Sequence, residues 1–393
     1  MAARSQWRPV IAYAALSAAN QMLWLTYTPF TTDAAHHYRV SSGAIGWLAE
    51  IFPLLYVVLA IPAGRLIDRR MPFWLGVGAV LTAGGAGLRL AGDTYVTVLA
   101  GQVLVAVAQP LILNAVTKVS GAYLPAGERA KGIAVSSAGI FAGMLLALGL
   151  GAGLGGGRIE ALLIVQAMLT VIAAAALCAS LRAPAAPDAV REPAVPLRDV
   201  WADRYLRLLT GLVCVGFGVF IALTTWLQAL LNRSGVSDSE AGVLLLAMVV
   251  AGVAGSALLP PWIAAHGREL GFVLCSVVAG CAGLVVLAVA PGVWTGLAVL
   301  FVVGLLLLTD LPVILELAER RAGRAGGTAS ALIWLAGNAA GLVAALVVQA
   351  LVHHPGAAFA VLAVMLAAGL PLLLALRQRS DGTSRAQVRV QVP

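Results

Sequence analysis

The stretch GWLAEIFPLLYVVLAIPAGRLIDRR, Gly46 to Arg70, is an apolar run that ends in a cluster of three arginines and one aspartate. A helix needs about 20 apolar residues to cross roughly 30 Å of hydrocarbon, and this run has that length. Glu50 is the single carboxylate inside it. We therefore predict a membrane-spanning helix whose basic end lies at the membrane surface and whose interior holds one acid.

The composition of the whole chain supports the same interpretation. Of its 393 residues, 61% are hydrophobic and 11% are charged, whereas soluble domains average about 45–50% and about 25%. The net charge of +8 comes from Lys and Arg at segment ends, where such residues set orientation. The four cysteines lie in apolar segments without metal-binding spacing. We predict a polytopic membrane protein with no nucleic-acid partner, no metal, no cofactor and no enzymatic activity.

Twelve apolar segments follow one another along the chain, and each is long enough for a helix. They cover residues 9–30, 43–64, 72–91, 94–120, 132–154, 160–181, 205–231, 241–265, 270–290, 293–317, 327–351 and 357–376. Their content of Ala, Leu, Val and Gly lacks the strict alternation of a membrane β-strand. Because a helix satisfies its own backbone hydrogen bonds in lipid, the predicted fold class is an all-α membrane protein.

The longest polar stretch divides these segments into six and six. We predict an N-terminal six-helix bundle over 1–181, a cytoplasmic linker over 182–204, a C-terminal six-helix bundle over 205–376 and a cytoplasmic tail over 377–393. With the N-terminus inside the cell, 21 Lys and Arg fall on the cytoplasmic side and four on the other, which accounts for all 25. This asymmetry predicts a multi-pass protein of the cytoplasmic (inner) membrane with both termini in the cytoplasm.

The charged junction after the second segment carries a family resemblance. The loop motif G-x-x-x-D-R-x-G-R-[RK] is matched in GRLIDRRMPF by Gly64, Asp68 and Arg69, while Met71 and the residues after it depart from the motif. Together with six plus six helices, this junction resembles the major facilitator superfamily. The resemblance implies that Gly64, Asp68 and Arg69 form a conformational latch, and simple orientation charges are the alternative.

Three longer stretches resemble one branch of that superfamily, the feline leukaemia virus subgroup C receptors. They are NQMLWLTYTPFTTDAAHHYRVSSGAIGWLAEIFPLLYVVLAIPAGRLIDR, GQVLVAVAQPLILNAVTKVSGAYLP and LPVILELAERRAGRAGGTASALIWLAGNAAG. Members are described as carriers of choline and ethanolamine, and of haem. The resemblance implies that Trp24, Gln109 and Asn338 face a central cavity. Two positions depart from the branch: its segment-seven Tyr is replaced near Ile221 or Phe220, and Glu50 stands where an apolar residue is usual.

Polar and aromatic residues at membrane depth are expensive and mark candidate binding positions. Asn20, Trp24 and Tyr27 are spaced to share a helical face, and a Trp ring attracts cations. We predict the following substrate-binding residues, with core packing as the alternative for the aromatic ones: Asn20, Trp24, Tyr27, Gln109, Asn114, Phe217, Phe220, Thr224, Trp334 and Asn338.

Two acids deep in the segments are predicted to couple transport to a proton or a cation. Glu50 lies near the middle of segment two, and Asp310 lies beside Pro312 in segment ten. A lone carboxylate in hydrocarbon must be neutralised by a proton or a nearby cation. A structural role is the alternative for Glu50.

The predicted function is a secondary active or facilitative transporter that moves a small organic solute, such as a choline-like amine, by alternating access. The alternatives are a proton-coupled efflux carrier for drugs or metabolites and a haem transporter. Its expected partners are a small-molecule substrate and the lipid bilayer, and we expect it to act as a monomer.

Overall fold

A computed structural model describes residues 6–125, 128–155, 157–182, 197–322 and 326–378. Every regular element within these ranges is a helix. The helices are α1 (Trp7–Trp24), a 3₁₀ turn (Thr28–Phe30), α2 (Thr31–Tyr38), α3 (Ser42–Leu88), α4 (Tyr95–Leu113), α5 (Val116–Tyr123), α6 (Arg129–Leu154), α7 (Ile159–Ser180), α8 (Leu197–Ala202), α9 (Arg204–Asn232), α10 (Asp238–Ala265), α11 (Glu269–Val289), α12 (Val293–Ala322), α13 (Gly326–Ala350) and α14 (Pro355–Ala367). Most of the predicted linker and nearly all of the predicted tail lie outside the described residues.

Nine helices in the described ranges are long and apolar enough to span a membrane, and the segment Ala138–Leu154 is a shorter apolar helix. One of the nine, α3, covers predicted segments two and three without a loop between them. It is interrupted at Arg70, whose φ of −149° and ψ of 71° are not helical. With α3 counted as two spans and α1 and α6 added, the helices are consistent with twelve segments.

The first predicted segment is broken rather than continuous. Helix α1 ends at Trp24, and a turn leads into the 3₁₀ element at Thr28. The Thr26 hydroxyl lies 2.9 Å from the Leu23 carbonyl oxygen, and Pro29 lies in the first turn of the 3₁₀ element. Because proline cannot donate a backbone hydrogen bond, it favours such an interruption. The expectation that Tyr27 continues the helical face of Asn20 and Trp24 was therefore wrong.

The chain divides into two compact units. Unit 1 comprises Met1–Pro193 and Thr224–Leu246, and unit 2 comprises Ala194–Leu223 and Ala247–Pro393. The end of α9 from Thr224 onward and the beginning of α10 therefore pack with the N-terminal helices. The core of unit 1 includes buried side chains from α1, α3, α4 and α7, such as Tyr13, Leu75, Ile112 and Leu177. The Tyr13 hydroxyl donates a 2.8 Å hydrogen bond to the Ile112 carbonyl.

Candidate functional site

Trp24 is fixed in unit 1 at the end of α1. Its side chain is buried, and its indole Nε1 donates a 3.0 Å hydrogen bond to the Ala49 carbonyl of α3. One turn earlier, Asn20 Nδ2 donates a 3.2 Å bond to the Val105 carbonyl of α4. Asn20 Oδ1 is buried without a hydrogen-bond partner among the described residues. Helices α1, α3 and α4 therefore hold this part of the predicted site together.

A small cavity in unit 1 lies beside the break in the first segment. It is lined by Trp24, Tyr27, Thr28, Thr31, Ile45, Gly46, Ala49 and Thr225. Its free space fits about one water molecule. The hydroxyls of Tyr27, Thr28 and Thr225 are all buried and have no hydrogen-bond partner of normal geometry among the described residues. The Tyr27 hydroxyl faces that of Tyr38. An apolar cavity would need no explanation, but this one has three unsatisfied polar groups in its wall.

The Glu50 carboxyl lies one turn beyond Gly46 on α3. Glu50 is 1% exposed, and neither of its oxygens has a hydrogen-bond partner within the described part of the chain. The carboxyl faces the Thr225 hydroxyl, but the two groups do not form a hydrogen bond of normal geometry. A buried carboxylate without a partner is costly, so this arrangement favours a bound cation or proton over a structural role.

Arg89 is the second buried charged side chain of unit 1, and it is 1% exposed. Its Nη1 donates to Thr26 Oγ1 at 3.0 Å and to Gln102 Oε1 at 3.3 Å, and its Nη2 donates to Gln166 Oε1 at 3.0 Å. Gln102 Nε2 in turn donates to the Leu23 and Leu48 carbonyls. The guanidinium therefore joins α4 and α7 to the break after Trp24.

The segment Thr224–Leu246 covers the cavity side of unit 1. The ring of Trp226 lies against Gly46 so closely that a Cβ on that glycine would be 2.5 Å from Cη2. Gln228 Oε1 accepts 3.1 Å hydrogen bonds from the backbone N–H and the hydroxyl of Thr32, and its amide also contacts Asp238. Asp238 accepts a 3.1 Å bond from the Asp33 N–H. These contacts hold the segment on α2 and α3.

The two predicted positions of the fourth segment have different surroundings. Asn114 Oδ1 accepts a 3.1 Å hydrogen bond from the Tyr56 hydroxyl, and its Nδ2 donates a 2.8 Å bond to the Ala60 carbonyl. These bonds engage Asn114 in packing between α3 and the end of α4. Gln109 is buried in α4 beside Pro110.

In unit 2 the predicted aromatic residues form a cluster. The rings of Phe217 and Trp334 meet edge to face with centroids 5.4 Å apart, and Phe217 lies 5.7 Å from Phe220. Phe217 and Trp334 are only partly buried, which leaves part of each ring accessible. Asn338 Nδ2 donates a 2.8 Å bond to the Trp334 carbonyl. Thr224 is buried and belongs to unit 1 instead.

Asp310 is buried in unit 2, where Ser276 Oγ lies 2.9 Å from its Oδ1. The same hydroxyl lies 3.1 Å from the Phe272 carbonyl oxygen. Because a hydroxyl has a single proton, only one of these two acceptors receives it at a time. Asp310 therefore has a weaker set of partners than a structural buried acid usually has.

The residues predicted as a latch lie at the end of the first half of α3. Asp68 forms an ion pair with Lys118 of α5. Gly64 lies next to the Asn114 side chain, and a Cβ built on this glycine would be 3.6 Å from Asn114 Nδ2. The contact joins two elements of unit 1, and a role in a conformational latch stays a prediction.

A second surface ion pair lies in unit 2 just before α9. Arg321 Nε donates a 2.8 Å hydrogen bond to Asp203. Burial alone would raise the pKa of Asp203, but hydrogen bonds from the Tyr205 N–H and from Arg321 outweigh that effect and hold the pKa below its ordinary value.

Three residues of this region were missed or undervalued from the sequence. Arg89 was not among the predicted site residues, although it is 1% exposed. The predicted site included Thr224 and not its neighbour Thr225, and it did not include Gln102. Their polarity inside apolar segments was the available signal, but helical spacing alone does not show which neighbouring threonine faces an acid.

Comparison with known proteins agrees with this architecture. The family model for the Major Facilitator Superfamily matches residues 10–345. A bacterial homologue of the human lysosomal transporter Spinster, solved in an inward-facing and unoccupied conformation, superposes with a TM-score of 0.70 at 16% identity, covering 95% of this chain and 96% of that one. The helical fold of the described ranges and the family match together define a multi-pass membrane transport protein.

The chain belongs to the major facilitator superfamily, a superfamily of transporters and not of enzymes. Solute carrier family 49 member A3 of Danio rerio is 27% identical over 384 residues, which cover 90% of this chain and 80% of the relative. The choline/ethanolamine transporter FLVCR2 of Homo sapiens is 26% identical over 129 residues, covering 32% of this chain and 24% of the relative. These relatives confirm the predicted likeness to the feline leukaemia virus subgroup C receptor branch.

Proposed function

We propose that this protein is a secondary carrier that moves a small organic cation, such as a choline-like amine, across the cytoplasmic membrane by alternating access. The two halves 1–181 and 205–376 serve as its two bundles, with both termini in the cytoplasm and the protein acting as a monomer. The named activity of the FLVCR2 relatives supports an amine.

The main support for an amine substrate is the aromatic cluster of unit 2. The ring centroids of Phe220 and Trp334 lie 5.7 Å and 5.4 Å from that of Phe217, and the rings of Phe217 and Trp334 are partly accessible. A quaternary ammonium group on such ring faces gains about 0.5–2 kcal/mol per ring. The other positions predicted from the sequence stay proposed substrate contacts: Asn20, Trp24, Tyr27, Gln109, Asn114, Thr224 and Asn338.

Glu50 and Asp310 are the proposed coupling residues. Both are buried, at 1% and 7% exposure. Glu50 has unsatisfied oxygens, and Asp310 shares the Ser276 hydroxyl with a backbone carbonyl. Binding of a cation or proton at either residue would remove the cost of a buried charge.

A thermal-shift assay on the purified protein tests the amine. We expect choline to raise the melting temperature, by an amount equivalent to about 2.7 kcal/mol when its concentration is 100 times the dissociation constant. Its uncharged carbon isostere, dimethylbutanol, should have no effect because it lacks the charge that the rings attract. Trp334→Leu should remove the choline effect. The matched control is Trp294→Leu, because Trp294 is 81% exposed.

Equal stabilisation by choline and by dimethylbutanol would contradict an amine site. An unchanged choline response in Trp334→Leu would remove the aromatic cluster from the site.

The second candidate, a proton-coupled efflux carrier for drugs or metabolites, is favoured by the unsatisfied Glu50 carboxyl. It predicts stabilisation by hydrophobic drugs and transport that stops when the pH gradient is dissipated. Stabilisation by haem in the same screen would favour haem transport.

A further inference from the structure

The wall of the unit 1 cavity has more unsatisfied oxygens than a protonated acid explains. Tyr27, Thr28 and Thr225 line the cavity, and the Glu50 carboxyl lies behind Thr225 and faces its hydroxyl. All of these oxygens are buried and lack hydrogen-bond partners within the described ranges. We propose that this cavity binds a sodium ion, held by the Glu50 carboxylate and by the hydroxyls of Tyr27, Thr28 and Thr225.

The size of the cavity favours an ion over the organic substrate. Its free space fits about one water molecule, which is too small for a trimethylammonium group and sufficient for a dehydrated sodium ion. This inference rests on the proposed carrier function only in its last step, where the sodium ion serves as the coupling ion. The binding site itself needs no amine.

The chemistry of the wall favours a cation over a water molecule or a proton. A proton would neutralise Glu50 and let it pair with the Thr225 hydroxyl, but it would leave the Tyr27 and Thr28 hydroxyls without a partner in the cavity. A water molecule would satisfy hydroxyls and leave the carboxylate charge uncompensated. A cation neutralises the carboxylate and accepts electron pairs from the hydroxyl oxygens at the same time, and oxygen ligands are the ones that hard cations prefer.

The backbone beside the cavity has the form of a coupling-ion site. Trp24, Tyr27, Thr28 and Thr31 line it from the place where α1 stops and the 3₁₀ turn begins. Carriers commonly bind sodium where a membrane helix is interrupted, because the unwound backbone leaves oxygen atoms available. Arg89 does not compete for Glu50, since the structure shows its Nη1 and Nη2 on Thr26, Gln102 and Gln166.

The cavity is completed by chain from the second half of the sequence. Thr225 belongs to the segment Thr224–Leu246, which packs in unit 1, and Gln228 of that segment bonds to Thr32. Sodium binding therefore requires this segment to be packed against α2 and α3, the arrangement that we call seated. An ion that stabilises the seated segment has the differential affinity for one conformation that coupling needs.

Melting curves of the purified full chain in sodium chloride and in potassium chloride test the site. Total salt is kept constant and no amine is present, so that failure here leaves the amine assay unaffected. We expect a saturable rise in melting temperature with sodium and none with potassium. Thr225→Val keeps the shape of the side chain and removes its hydroxyl. It should raise the sodium concentration that gives half of the stabilisation by at least ten-fold. Glu50→Gln should abolish the response, and the control Glu160→Gln, an exposed acid on α7, should keep it.

Binding of radioactive sodium to the same samples gives an independent readout, with one ion expected per wild-type chain. Equal melting temperatures in the two salts, together with no bound sodium, would overturn the proposal. A sodium response that persists unchanged in Thr225→Val would also overturn it. Stabilisation by acidification in place of sodium would assign Glu50 to a proton. If Glu50→Gln does not fold, the comparison of wild type with Thr225→Val decides.

Discussion

Substituting Gly46 with alanine tests how the segment Thr224–Leu246 closes over unit 1. A Cβ on this glycine would lie 2.5 Å from Cη2 and 2.6 Å from Cζ2 of Trp226, whose side chain is fully buried. Carbon atoms in good contact are about 3.5–4.0 Å apart. The ring must therefore move by about 1 Å, away from α3, or the segment must leave its seat.

The energetic cost follows from the tightness of that contact. Overpacking a well-packed site costs about 1–3 kcal/mol, and each 1.4 kcal/mol is about ten-fold in an equilibrium constant. The equilibrium constant for seating the segment should fall by a factor of about 5 to 150. Alanine also favours the helix by up to about 1 kcal/mol. Gly76→Ala controls for this gain, because Gly76 is in the same helix and has no neighbour within 4 Å of a Cβ.

The assay combines melting temperature with cysteine accessibility. Thr31 lines the cavity and is 1% exposed, so Thr31→Cys in a background without the four native cysteines reports whether the segment is seated. Gly46→Ala should lower the melting temperature and increase the rate at which a maleimide labels this cysteine. Gly76→Ala should change neither in that direction. Equal labelling rates and equal melting temperatures in the two alanine variants would refute the proposed closure.

One hydrogen-bond network and two ion pairs give further predictions. Arg89→Lys should lower the melting temperature although it keeps the charge, because an ammonium cannot reproduce the planar fork that serves three acceptors; an unchanged melting curve would contradict a structural network. Asp68→Asn should change the transport rate more than the melting temperature, and the double variant Asp68→Lys with Lys118→Asp should restore the rate. If neither variant changes the transport rate, the pair is a simple surface contact. Asp203→Asn should destabilise the protein at neutral pH and have no effect once the pH falls well below 3.8, the ordinary pKa of an aspartate, because a carboxyl whose pKa is depressed contributes stability only where it is ionised. Melting curves at several pH values check this, and an Asp203→Asn effect that is the same at every pH would contradict the ion pair with Arg321.

Much of the helical architecture follows from the sequence because the bilayer allows few alternatives. Predicted segments such as 132–154 and 293–317 agree with α6 and α12 at their beginnings within a few residues. Apolar length and the need to satisfy backbone groups in lipid decide these elements. The break after Trp24 was not foreseen, because Pro29 near the end of residues 9–30 was its local signal and was not used. Tertiary contacts at the break, such as the Thr26–Arg89 hydrogen bond, are visible only in the structure.

The candidate site was harder to predict because it depends on which side chains share neighbours. Glu50 was recognised as exceptional because a lone acid in an apolar run is visible without a structure. Its relation to Thr225 was not visible, since the two are far apart in the sequence and meet only because Thr224–Leu246 packs in unit 1. The structural use of Asn114 was likewise hidden, because its partners Tyr56 and Ala60 belong to another helix.

Counterflow of radiolabelled choline into proteoliposomes that contain the purified protein tests the carrier assignment most directly. We expect unlabelled choline inside the vesicles to drive transient accumulation of labelled choline inside them above its equilibrium level. Trp334→Leu should reduce this accumulation at least ten-fold, and Trp294→Leu should not. Accumulation no greater than in protein-free vesicles, under conditions in which the protein is folded and inserted, would contradict the claim that this chain carries an organic cation.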